Sequence, residues 1–596
     1  MKHLEHLDFL AHWPKNRYPK IMGNQGKALM LLEKHDCSLL LELPTGTGKT
    51  AIGYTFLKTL EAAGQTSLFY ITPNKTLVDQ AKKLHPDVKV MYGRNEYPCL
   101  YYNGEISAEA APCSLLDCPH RVDAETGETE VAGAEPCPYL GDKWNAKQGG
   151  IVVCTMAFYL FTHLFSEEWG ETAGLVIDEV HQIARVFRGS LSYEITDYHL
   201  EKAVDLFYNA DIQEAQILDS FRRKMMKVVK KRQPGTATLL EPAEINNLLS
   251  DLYGIDSRSM MRAVRQAMKN GKIDALKQHE TLKRAEVITR SLTRYLRSLE
   301  YSLETDNRKP LNYTYGYYEQ EIGENSKTQY RLVIRAYYVA PLIKKILASR
   351  TLAYSATIGD AETLGFESGI KFPFYAFESD FPVENAKILI PSDTPNLAVK
   401  SRSRQDLTRS LRKIAKACRD LQDAGSRSLV VVVSNKEREK FLMLAGEEGV
   451  DAISYGNGIK PREAARKFQQ GEGSVLVGTV ANYGEGVDLP KNLAPVIFFL
   501  RPAYPNPKDP ATIFEERRFG NMRWRLWNWR VMIEALQVRG RNIRSAKDLG
   551  VTIFVSQQFK RFIPAALPKW LEGAYRGDLR LEECVSAAKD LLNGSL

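Results

Sequence analysis

Short, uniformly apolar runs alternate with longer helical stretches along most of the chain. The runs are Ser38–Leu43, Ser67–Thr72, Gly150–Thr155, Leu175–Asp178, Thr351–Ser355, Ser428–Ser434, Ser474–Thr479, Pro495–Leu500 and Gly550–Ser556. Runs without polar alternation are typical of parallel strands that are buried on both faces, with helices between them. The pattern therefore predicts an α/β protein built on open parallel sheets.

The apolar runs are unevenly spread, and two segments between them differ in character. Tyr198–Val229 and Pro242–Glu300 have helical periodicity, many Lys and Arg and few β-rich runs, which predicts a mostly helical insertion. Residues 95–149 are rich in Gly, Pro, Glu, Tyr and Cys and have no clear periodicity. We expect a small module there that is held together by something other than an apolar core. The polar stretch Pro391–Arg404 is a plausible boundary before a second α/β domain.

Composition narrows the class of protein. The 596 residues are 44% hydrophobic and 26% charged, which excludes disordered, collagen-like and small disulfide-stapled proteins. The sequence contains no run of about 18 apolar residues, so no membrane span is predicted. Met1–Asn16 lacks the apolar core of a signal peptide. The net charge of +9 permits a nucleic-acid partner without proving one.

A phosphate-binding loop follows the first predicted strand. Pro44-Thr45-Gly46-Thr47-Gly48-Lys49-Thr50 stands between that strand and a helical pattern that starts at Ala51. The glycines allow backbone N–H groups to face phosphate oxygens at a helix N-terminus. Lys49 would bind the β- and γ-phosphates, and the Thr50 hydroxyl would ligate Mg²⁺. Leu43 stands where the general pattern has its first Gly, so the match is imperfect.

Two adjacent carboxylates supply the second half of a nucleotide site. The strand Leu175–Ile177 ends in Asp178 and Glu179. Asp178 can hold Mg²⁺, and Glu179 can polarise the attacking water. An isolated acidic pair after a strand is usually a surface feature, but together with the phosphate loop it indicates hydrolysis of a nucleoside triphosphate.

A second set of candidate residues lies late in the chain. Gln537–Arg544 carries three arginines, of which Arg541 and Arg544 are three residues apart and so share a helical face. A hydrolase of this kind needs positive charge on the γ-phosphate, delivered from another domain. Upstream, Glu485, Gly486 and Asp488 form an acidic, glycine-containing turn that can couple two lobes.

Four of the eight cysteines fall in the segment 95–149. Cys99, Cys113, Cys118 and Cys137 are spaced C-x13-C-x4-C-x18-C, without the close C-x2-C pairs that are common in zinc sites and bacterial ferredoxins. From the residues alone, three alternatives remain open: an iron–sulfur cluster, a zinc site and four unligated thiols. The other cysteines, Cys37, Cys154, Cys418 and Cys584, are interpreted as ordinary buried or surface thiols.

Taken in order, these motifs resemble those of superfamily 2 helicases. The similar segments are Arg17-Tyr18-Pro19 with Gln25 (Q motif), Thr72–Leu77 (motif Ia), Ser355-Ala356-Thr357 (motif III), Gly484–Asp488 (motif V) and Gln537–Arg544 (motif VI). Gly93–Cys99 and Cys137-Pro138-Tyr139 look like the flanks of the iron–sulfur module in the XPD/DinG helicases. The resemblance implies catalytic roles for Lys49, Asp178, Glu179, Gln537, Arg541 and Arg544. It implies ATP contacts from Gln25, Thr45, Gly46, Thr47, Gly48, Lys49, Thr50, Glu485, Gly486 and Asp488.

The same resemblance implies an architecture and a cofactor. It implies two RecA-like lobes, with a [4Fe–4S] cluster on Cys99, Cys113, Cys118 and Cys137. The expected divisions are 1–94, 150–195 and 336–395 for the first lobe, 95–149 for the iron–sulfur domain, 196–335 for a helical Arch and 396–596 for the second lobe. With 48 residues before Lys49 and 52 after Arg544, we expect no N-terminal nuclease domain.

The predicted function is that of an ATP-dependent DNA helicase. The resemblance implies Mg²⁺, 5′-to-3′ translocation on single-stranded DNA, and forked duplex substrates in repair, replication, mobile-element or CRISPR-associated processes. The candidate DNA contacts are Thr72, Asn74, Lys75, Arg94, Tyr97 and Tyr101. The Trp-rich stretch Arg523–Arg530 is interpreted as a packed helix, with base stacking as the alternative.

An alternative function is a partner-dependent, nucleic-acid-stimulated ATPase that remodels complexes without unwinding alone. In either case we expect a monomer in the cytoplasm of a prokaryote, associated with the nucleoid and with no membrane partner.

Overall fold

The structure, a computed structural model, describes residues 7–35, 37–166, 169–303, 305–306, 309–320, 328–399, 401–484, 489, 493–543 and 545–594. Its strands, in chain order, are β1 Leu39–Glu42, β2 Leu68–Thr72, β3 Lys89–Met91, β4 Ile151–Thr155, β5 Gly174–Asp178, β6 Tyr193–Thr196, β7 Thr238–Leu239, β8 Thr305–Asp306, β9 Lys309–Pro310, β10 Asn312–Gln320, β11 Thr328–Ala336, β12 Arg350–Ser355, β13 Phe374–Ala376, β14 Ala386–Leu389, β15 Ser428–Val432, β16 Ala452–Ser454, β17 Val475–Thr479, β18 Val496–Phe499, β19 Gly550–Phe554 and β20 Tyr575–Arg576.

The α-helices, in chain order, are α1 Gly23–Lys34, α2 Lys49–Ala62, α3 Lys75–Leu84, α4 Pro138–Lys147, α5 Met156–Leu164, α6 Ile183–Ser190, α7 Asp197–Asn209, α8 Ala215–Lys230, α9 Pro242–Leu252, α10 Ser257–Lys269, α11 His279–Leu303, α12 Ala340–Lys345, α13 Ala361–Ser368, α14 Arg404–Asp423, α15 Asn435–Glu447, α16 Pro461–Gln469, α17 Pro510–Phe519, α18 Arg523–Arg539, α19 Ile563–Ala566 and α20 Leu581–Leu592.

Two seven-stranded parallel sheets form the two lobes. Their strand orders are β13-β1-β12-β5-β2-β4-β3 and β16-β17-β15-β18-β19-β14-β20. The central strands, such as β2 and β17, are buried along their whole length, as their apolar runs predict. Each lobe has one apolar cluster on each face of its sheet. The predicted α/β fold class with two RecA-like lobes is confirmed.

The boundary between the lobes lies earlier than predicted. Strand β14 pairs with β19 and β20, so it belongs to the second sheet although it precedes residue 396. The prediction placed the boundary in the polar stretch Pro391–Arg404, but that stretch follows the first strand of the second lobe. The crossing between lobes therefore lies between β13 and β14.

The insertion in the first lobe combines helices with a small sheet. Helices α7 to α11 share one apolar core with β6 and β11. These strands belong to an antiparallel sheet in the order β6-β11-β10-β7. The sequence predicted the helices but not the long β10–β11 hairpin, whose alternating Tyr and polar residues gave no uniformly apolar run.

Helix α18 belongs to the second lobe by sequence but packs against both lobes. Leu526, Trp529 and Ile533 join the apolar cluster of the first lobe. Ala535 and Val538, near its C-terminal end, join a cluster of the second lobe. A helix of 17 residues spans about 25 Å. It therefore ties the lobes together just before the predicted motif VI.

A buried charge network reinforces this contact between lobes. The Glu367 carboxylate, 5% exposed, accepts hydrogen bonds from Arg188 of the first lobe at 2.7 Å and from Arg530 of α18 at 3.0 Å. Arg530 also pairs with Glu515 at 2.6 Å. Burial opposes the charged form of Glu367, but the two arginines more than offset it and lower the pKa of this carboxyl to about 2.

We expect Glu367→Gln to destabilise the protein strongly, because it leaves two buried arginines without a full counter-charge. The expected loss of unfolding free energy at pH 7 is about 3–5 kcal/mol. A depressed carboxyl pKa stabilises the folded state above the unfolded pKa of about 4.3 and ceases to do so as the pH falls toward 2. The difference between variant and wild type should therefore shrink over that interval.

Thermal unfolding of both proteins from pH 7 to pH 3 measures this effect. Glu447→Gln is the matched control, because Glu447 pairs with Arg412 on the surface at 2.8 Å and should contribute at most about 1 kcal/mol. If both substitutions lower the free energy of unfolding equally at pH 7, the buried network does not stabilise the protein more than a surface ion pair, which would contradict the prediction.

Candidate functional site

The phosphate loop has the backbone that its glycines predict. Gly46 and Gly48 have φ angles of 86° and 77°, in the left-handed region, and Lys49 is the first residue of α2. Gln25 is buried and donates a hydrogen bond from Nε2 to the Thr47 carbonyl at 3.0 Å. A Cβ at Gly48 would lie 2.6 Å from that Nε2. Gln25 therefore supports the loop, and the left-handed φ at position 48 favours glycine there.

The two polar side chains after this loop point to the centre of the site. The Lys49 ammonium donates to the Leu43 carbonyl at 3.3 Å. The Thr50 hydroxyl hydrogen-bonds the buried Tyr70 hydroxyl. Thr45 faces motif VI, because a Cβ at Gly540 would lie 3.7 Å from its Oγ1. The loop is thus covered by the second lobe.

Asp178 ends β5 in the interior, 7% exposed. Its Oδ2 accepts from the Tyr70 hydroxyl at 3.2 Å, while its buried Oδ1 has no hydrogen-bond partner in the described part of the chain. Burial, with the Glu179 charge adding to it, raises the pKa of this carboxyl. Asp178 and Thr50 both hydrogen-bond the Tyr70 hydroxyl, and a buried carboxylate oxygen without a partner in the described residues fits the oxygen ligands that Mg²⁺ prefers.

Glu179 follows in a strained left-handed conformation, with φ of 51°. Its Oε2 accepts from the Ser355 hydroxyl at 2.8 Å. Burial alone would raise the pKa of this carboxyl, but Lys49, His181, Ser355 and Arg541 together lower it. The strain is of the kind found where a side chain must be aimed at a reacting group, and an ionised Glu179 can accept a proton or polarise water.

A continuous hydrogen-bond chain links the two lobes at this point. His181 Nδ1 lies 2.8 Å from Ser355 Oγ, and His181 Nε2 lies 2.6 Å from Gln537 Nε2. The chain therefore runs from Glu179 through Ser355 and His181 to Gln537 of the second lobe. Arg541 is close enough to lower the pKa of Glu179. Gln537 is thus linked to Glu179 through two intervening side chains, and Arg541 influences Glu179 electrostatically.

Four predicted site residues lie outside the described residues. They are Glu485, Gly486, Asp488 and Arg544. Their roles remain predictions.

We expect Gln537→Ala to slow ATP hydrolysis by about a hundredfold, because it removes a polar contact from the second lobe at the reacting phosphate. Steady-state phosphate release at saturating ATP and nucleic acid measures it. The matched control is Asn528→Ala, which removes an exposed amide on the same helix that accepts a hydrogen bond from the Tyr504 hydroxyl. An ATPase rate for Gln537→Ala equal to that of the control would contradict the assignment.

The predicted Q motif is only partly at the site. Gln25 supports the phosphate loop, but Arg17 donates to the Lys83 carbonyl at 3.2 Å and the Tyr18 ring packs against Trp13 and His85. These contacts anchor the N-terminal segment on α3. Within the described residues, the structure brings Gln25 to the loop and places Arg17 and Tyr18 beside that helix.

The candidate DNA contacts are unequally accessible. Thr72 and Tyr97 are 0% and 7% exposed, so both differ from the prediction: buried side chains cannot meet a strand on the surface. Asn74 caps α3 by accepting from the Leu77 N–H at 3.2 Å, and exposed Lys75 pairs with Glu96. The last two candidates are half-buried: Arg94 donates to the Ala108 carbonyl at 2.7 Å, and Tyr101 packs edge-on against Tyr102.

The four cysteines of the module 95–149 lie near enough to influence one another electrostatically. Burial raises the pKa of Cys99, Cys113 and Cys118, and each of these thiols is also influenced by at least one other of the four. The charge of Cys137 contributes to raising the pKa of Cys113 and of Cys118. The module's own apolar cluster is small, with Cys99, Tyr102, Ala111 and Leu116 as its buried members.

The arrangement does not form the ligand shell of a single ion. Across the described residues, no three His, Cys, Asp or Glu side chains stand close enough to hold one metal ion. Four thiolates that each bind a different iron of a cluster stand farther apart than the ligands of one ion. The donor chemistry and the shared location fit a [4Fe–4S] cluster, which remains a prediction.

The cysteine module is docked on the Arch. Leu115 joins the Arch core, and the Ser114 N–H donates to the buried Glu286 carboxylate at 3.0 Å. The Tyr102 hydroxyl donates to the Ala275 carbonyl at 3.0 Å. The segment between Cys113 and Cys118 therefore fixes one end of the Arch.

Sequence reasoning missed two residues of the nucleotide site. Tyr70 and Tyr354 are fully buried, their hydroxyls are 2.8 Å apart, and Tyr70 supports Asp178. The only signal was a Tyr within each otherwise aliphatic strand. A hydroxyl at the centre of a buried strand needs a polar partner, and here that partner is the acidic pair.

Comparisons with known proteins show which families the chain resembles. Residues 21–206 match the family of the type III restriction enzyme res subunit, and residues 406–574 match a helicase C-terminal domain. A probable ATP-dependent helicase of Methanocaldococcus jannaschii is 22% identical over 92% of this chain and 93% of its own length.

Solved structures share the fold. An XPD helicase superposes with a TM-score of 0.58 at 16% identity, covering 95% of this chain and 99% of its own. Xpd4 of S. tokodaii gives 0.57 at 14% identity, covering 93% and 98%. Among the helices that the structure describes, none is long and apolar enough to cross a membrane.

Proposed function

We propose that this chain is a superfamily 2 helicase of the XPD/DinG type, an ATP-driven translocase that moves 5′-to-3′ on single-stranded DNA and separates duplexes. The proposal is supported by the matches to two helicase-related family models and by the fold that the chain shares with XPD helicases. The observation that carries the proposal is the hydrogen-bond chain from Glu179 to Gln537, which connects the acidic pair of one lobe to motif VI of the other.

The side chains have distinct roles in hydrolysis. The N–H groups of the loop and the Lys49 ammonium would bind the β- and γ-phosphates, while Asp178 and Thr50 would hold Mg²⁺. Glu179 orients the attacking water and accepts its proton. Gln537 and Arg541 add polar and positive contacts from the second lobe as charge develops on the γ-phosphate.

The same chain of contacts couples hydrolysis to movement. Loss of the γ-phosphate removes the group that Lys49, Gln537 and Arg541 share, so their contacts across the cleft weaken. The lobes then part at the loop, while α18 keeps them joined at its packed first half. Alternate closing and opening advances the grip on a strand by one step per ATP.

The cysteine module supplies rigidity. Cys99, Cys113, Cys118 and Cys137 would hold a [4Fe–4S] cluster, which provides a structural cross-link for chain segments that share little apolar surface. Through Ser114 and Leu115 the module then holds the Arch in position as a wedge at a fork. We infer that the protein acts as a monomer in the cytoplasm of a prokaryote.

The nucleic-acid class can be tested by the ATPase activity. Phosphate release should rise when single-stranded DNA is added, and less with RNA or blunt duplex of equal length. Stimulation by RNA alone would contradict the DNA assignment. Stimulation by single-stranded DNA, with no strand separation unless another protein is present, would favour the partner-dependent ATPase.

A further inference from the structure

A groove on the first lobe lies outside the nucleotide cleft, between α12 and α13. It encloses about 220 Å³ and is lined by Tyr338, Pro341, Lys344, Phe366 and Lys371. The Phe366 side chain is 51% exposed although it follows a buried stretch of α13. The groove therefore presents an aromatic face between two lysines.

The floor of the groove is rigid backbone. Gly369 has a φ of 75°, and a Cβ there would lie 2.9 Å from the Ala340 carbonyl oxygen. The two helices thus meet at a distance that only glycine permits. The groove is a fixed feature of the lobe and does not depend on a flexible side chain.

Residues of the second lobe extend the aromatic face. The Phe519 ring lies 5.4 Å from that of Phe366, and the Arg518 guanidinium lies 5.2 Å from the Tyr338 ring. Just beyond, Met522 and Trp524 are 66% and 47% exposed. Large apolar side chains that are exposed together are typical of a binding surface. We call the groove and this extension the aromatic groove.

The charge of the aromatic groove is positive. Lys344, Lys345, Lys371 and Arg517 are exposed and pair with no carboxylate in the described part of the chain. The neighbouring acids are already neutralised: Asp360 and Glu362 bind Arg525, and Glu516 binds Arg523. Exposed aromatic rings beside unpaired cations suit a flexible polyanion that carries flat rings.

We propose that the aromatic groove binds single-stranded nucleic acid outside the nucleotide cleft, with bases stacked on Phe366 and Trp524 and phosphates beside Lys344 and Lys371. This inference rests on the proposed function, since it assumes that the chain handles single strands. It gives the Trp-rich stretch two roles: Trp529 is buried and packs against the first lobe, while Trp524 is 47% exposed.

The test is the affinity of the full-length protein for a fluorescent oligo(dT), measured by anisotropy. Phe366→Ala and Trp524→Ala should each weaken binding about tenfold. Lys344→Gln with Lys371→Gln should reduce the slope of log affinity against log salt by about 1.4. Matched controls are Tyr208→Ala, a side chain 45% exposed on the Arch, and Lys416→Gln with Lys436→Gln, two exposed lysines of the second lobe.

A cross-linking measurement keeps the test independent of the variants. An oligonucleotide with 5-iodouracil should cross-link to peptides that contain Phe366 or Trp524. If the groove variants bind oligo(dT) as tightly as wild type and those cross-links do not form, the aromatic groove is overturned and the proposed function stands. No binding of any single strand by wild type would overturn both. Oligo-glutamate serves as a second probe in the same assay. If the groove variants lose affinity for oligo-glutamate but keep their affinity for DNA, the proposal is overturned in favour of an acidic protein partner.

Discussion

Lys49→Ala should lower ATP hydrolysis by at least about a hundredfold, because it removes the cation that binds the β- and γ-phosphates at the start of α2. Within the described residues, the half-buried Lys49 ammonium makes one hydrogen bond, to the Leu43 carbonyl at 3.3 Å. Its removal should therefore leave the fold and the cysteine module intact. Phosphate release with and without single-stranded DNA measures the effect.

The control for this variant is its own thermal unfolding and iron content, both of which should match those of wild type. Lys58→Ala on the same helix is a second control, because Lys58 binds Glu61 and Asp87 on the surface. Equal ATPase rates for Lys49→Ala and wild type would overturn the assignment of the site.

Cys113→Ser should abolish the absorbance near about 400 nm that thiolate-bound iron–sulfur centres show, and should lower iron and sulfide per chain. Cys113 lies beside Ser114 and Leu115, which dock the module on the Arch. Loss of the cross-link should therefore also expose residues 95–149 to proteolysis. Strand separation should fall more than ATP hydrolysis.

Cys37→Ser is the matched control, since Cys37 is exposed and outside the module. It should keep the absorbance, the metal content and the resistance to protease. If Cys113→Ser keeps the same iron and sulfide content as Cys37→Ser, the cluster prediction fails.

The central strands could be predicted from the sequence, but the edges of the sheets could not. A strand such as β2 is buried on both faces, so its residues are uniformly apolar. Edge strands such as β13 and β16 are three residues long and half-exposed, and they leave no such pattern. Strand β14 lies between β19 and β20 and is mostly buried, but its run is only four residues long and contains Lys387; missing it moved the predicted lobe boundary.

The part of the nucleotide site that is formed by contiguous motifs could be predicted from the sequence. The glycines, Lys49 and the acidic pair are set by a strand, a turn and a helix that are contiguous in sequence. The contact between His181 and Gln537 depends on how two lobes meet across 356 residues. The burial of Thr72 and Tyr97 likewise depends on which neighbours cover them, which a local pattern does not reveal.

Strand separation on matched duplexes, with either a 5′ or a 3′ single-stranded tail, tests the central claim most directly. Anaerobically purified protein with ATP and Mg²⁺ should unwind the 5′-tailed duplex, and Lys49→Ala should unwind neither. Unwinding from the 3′ tail alone would contradict the proposed polarity. Hydrolysis of ATP on single strands with no unwinding from either tail would contradict the helicase account.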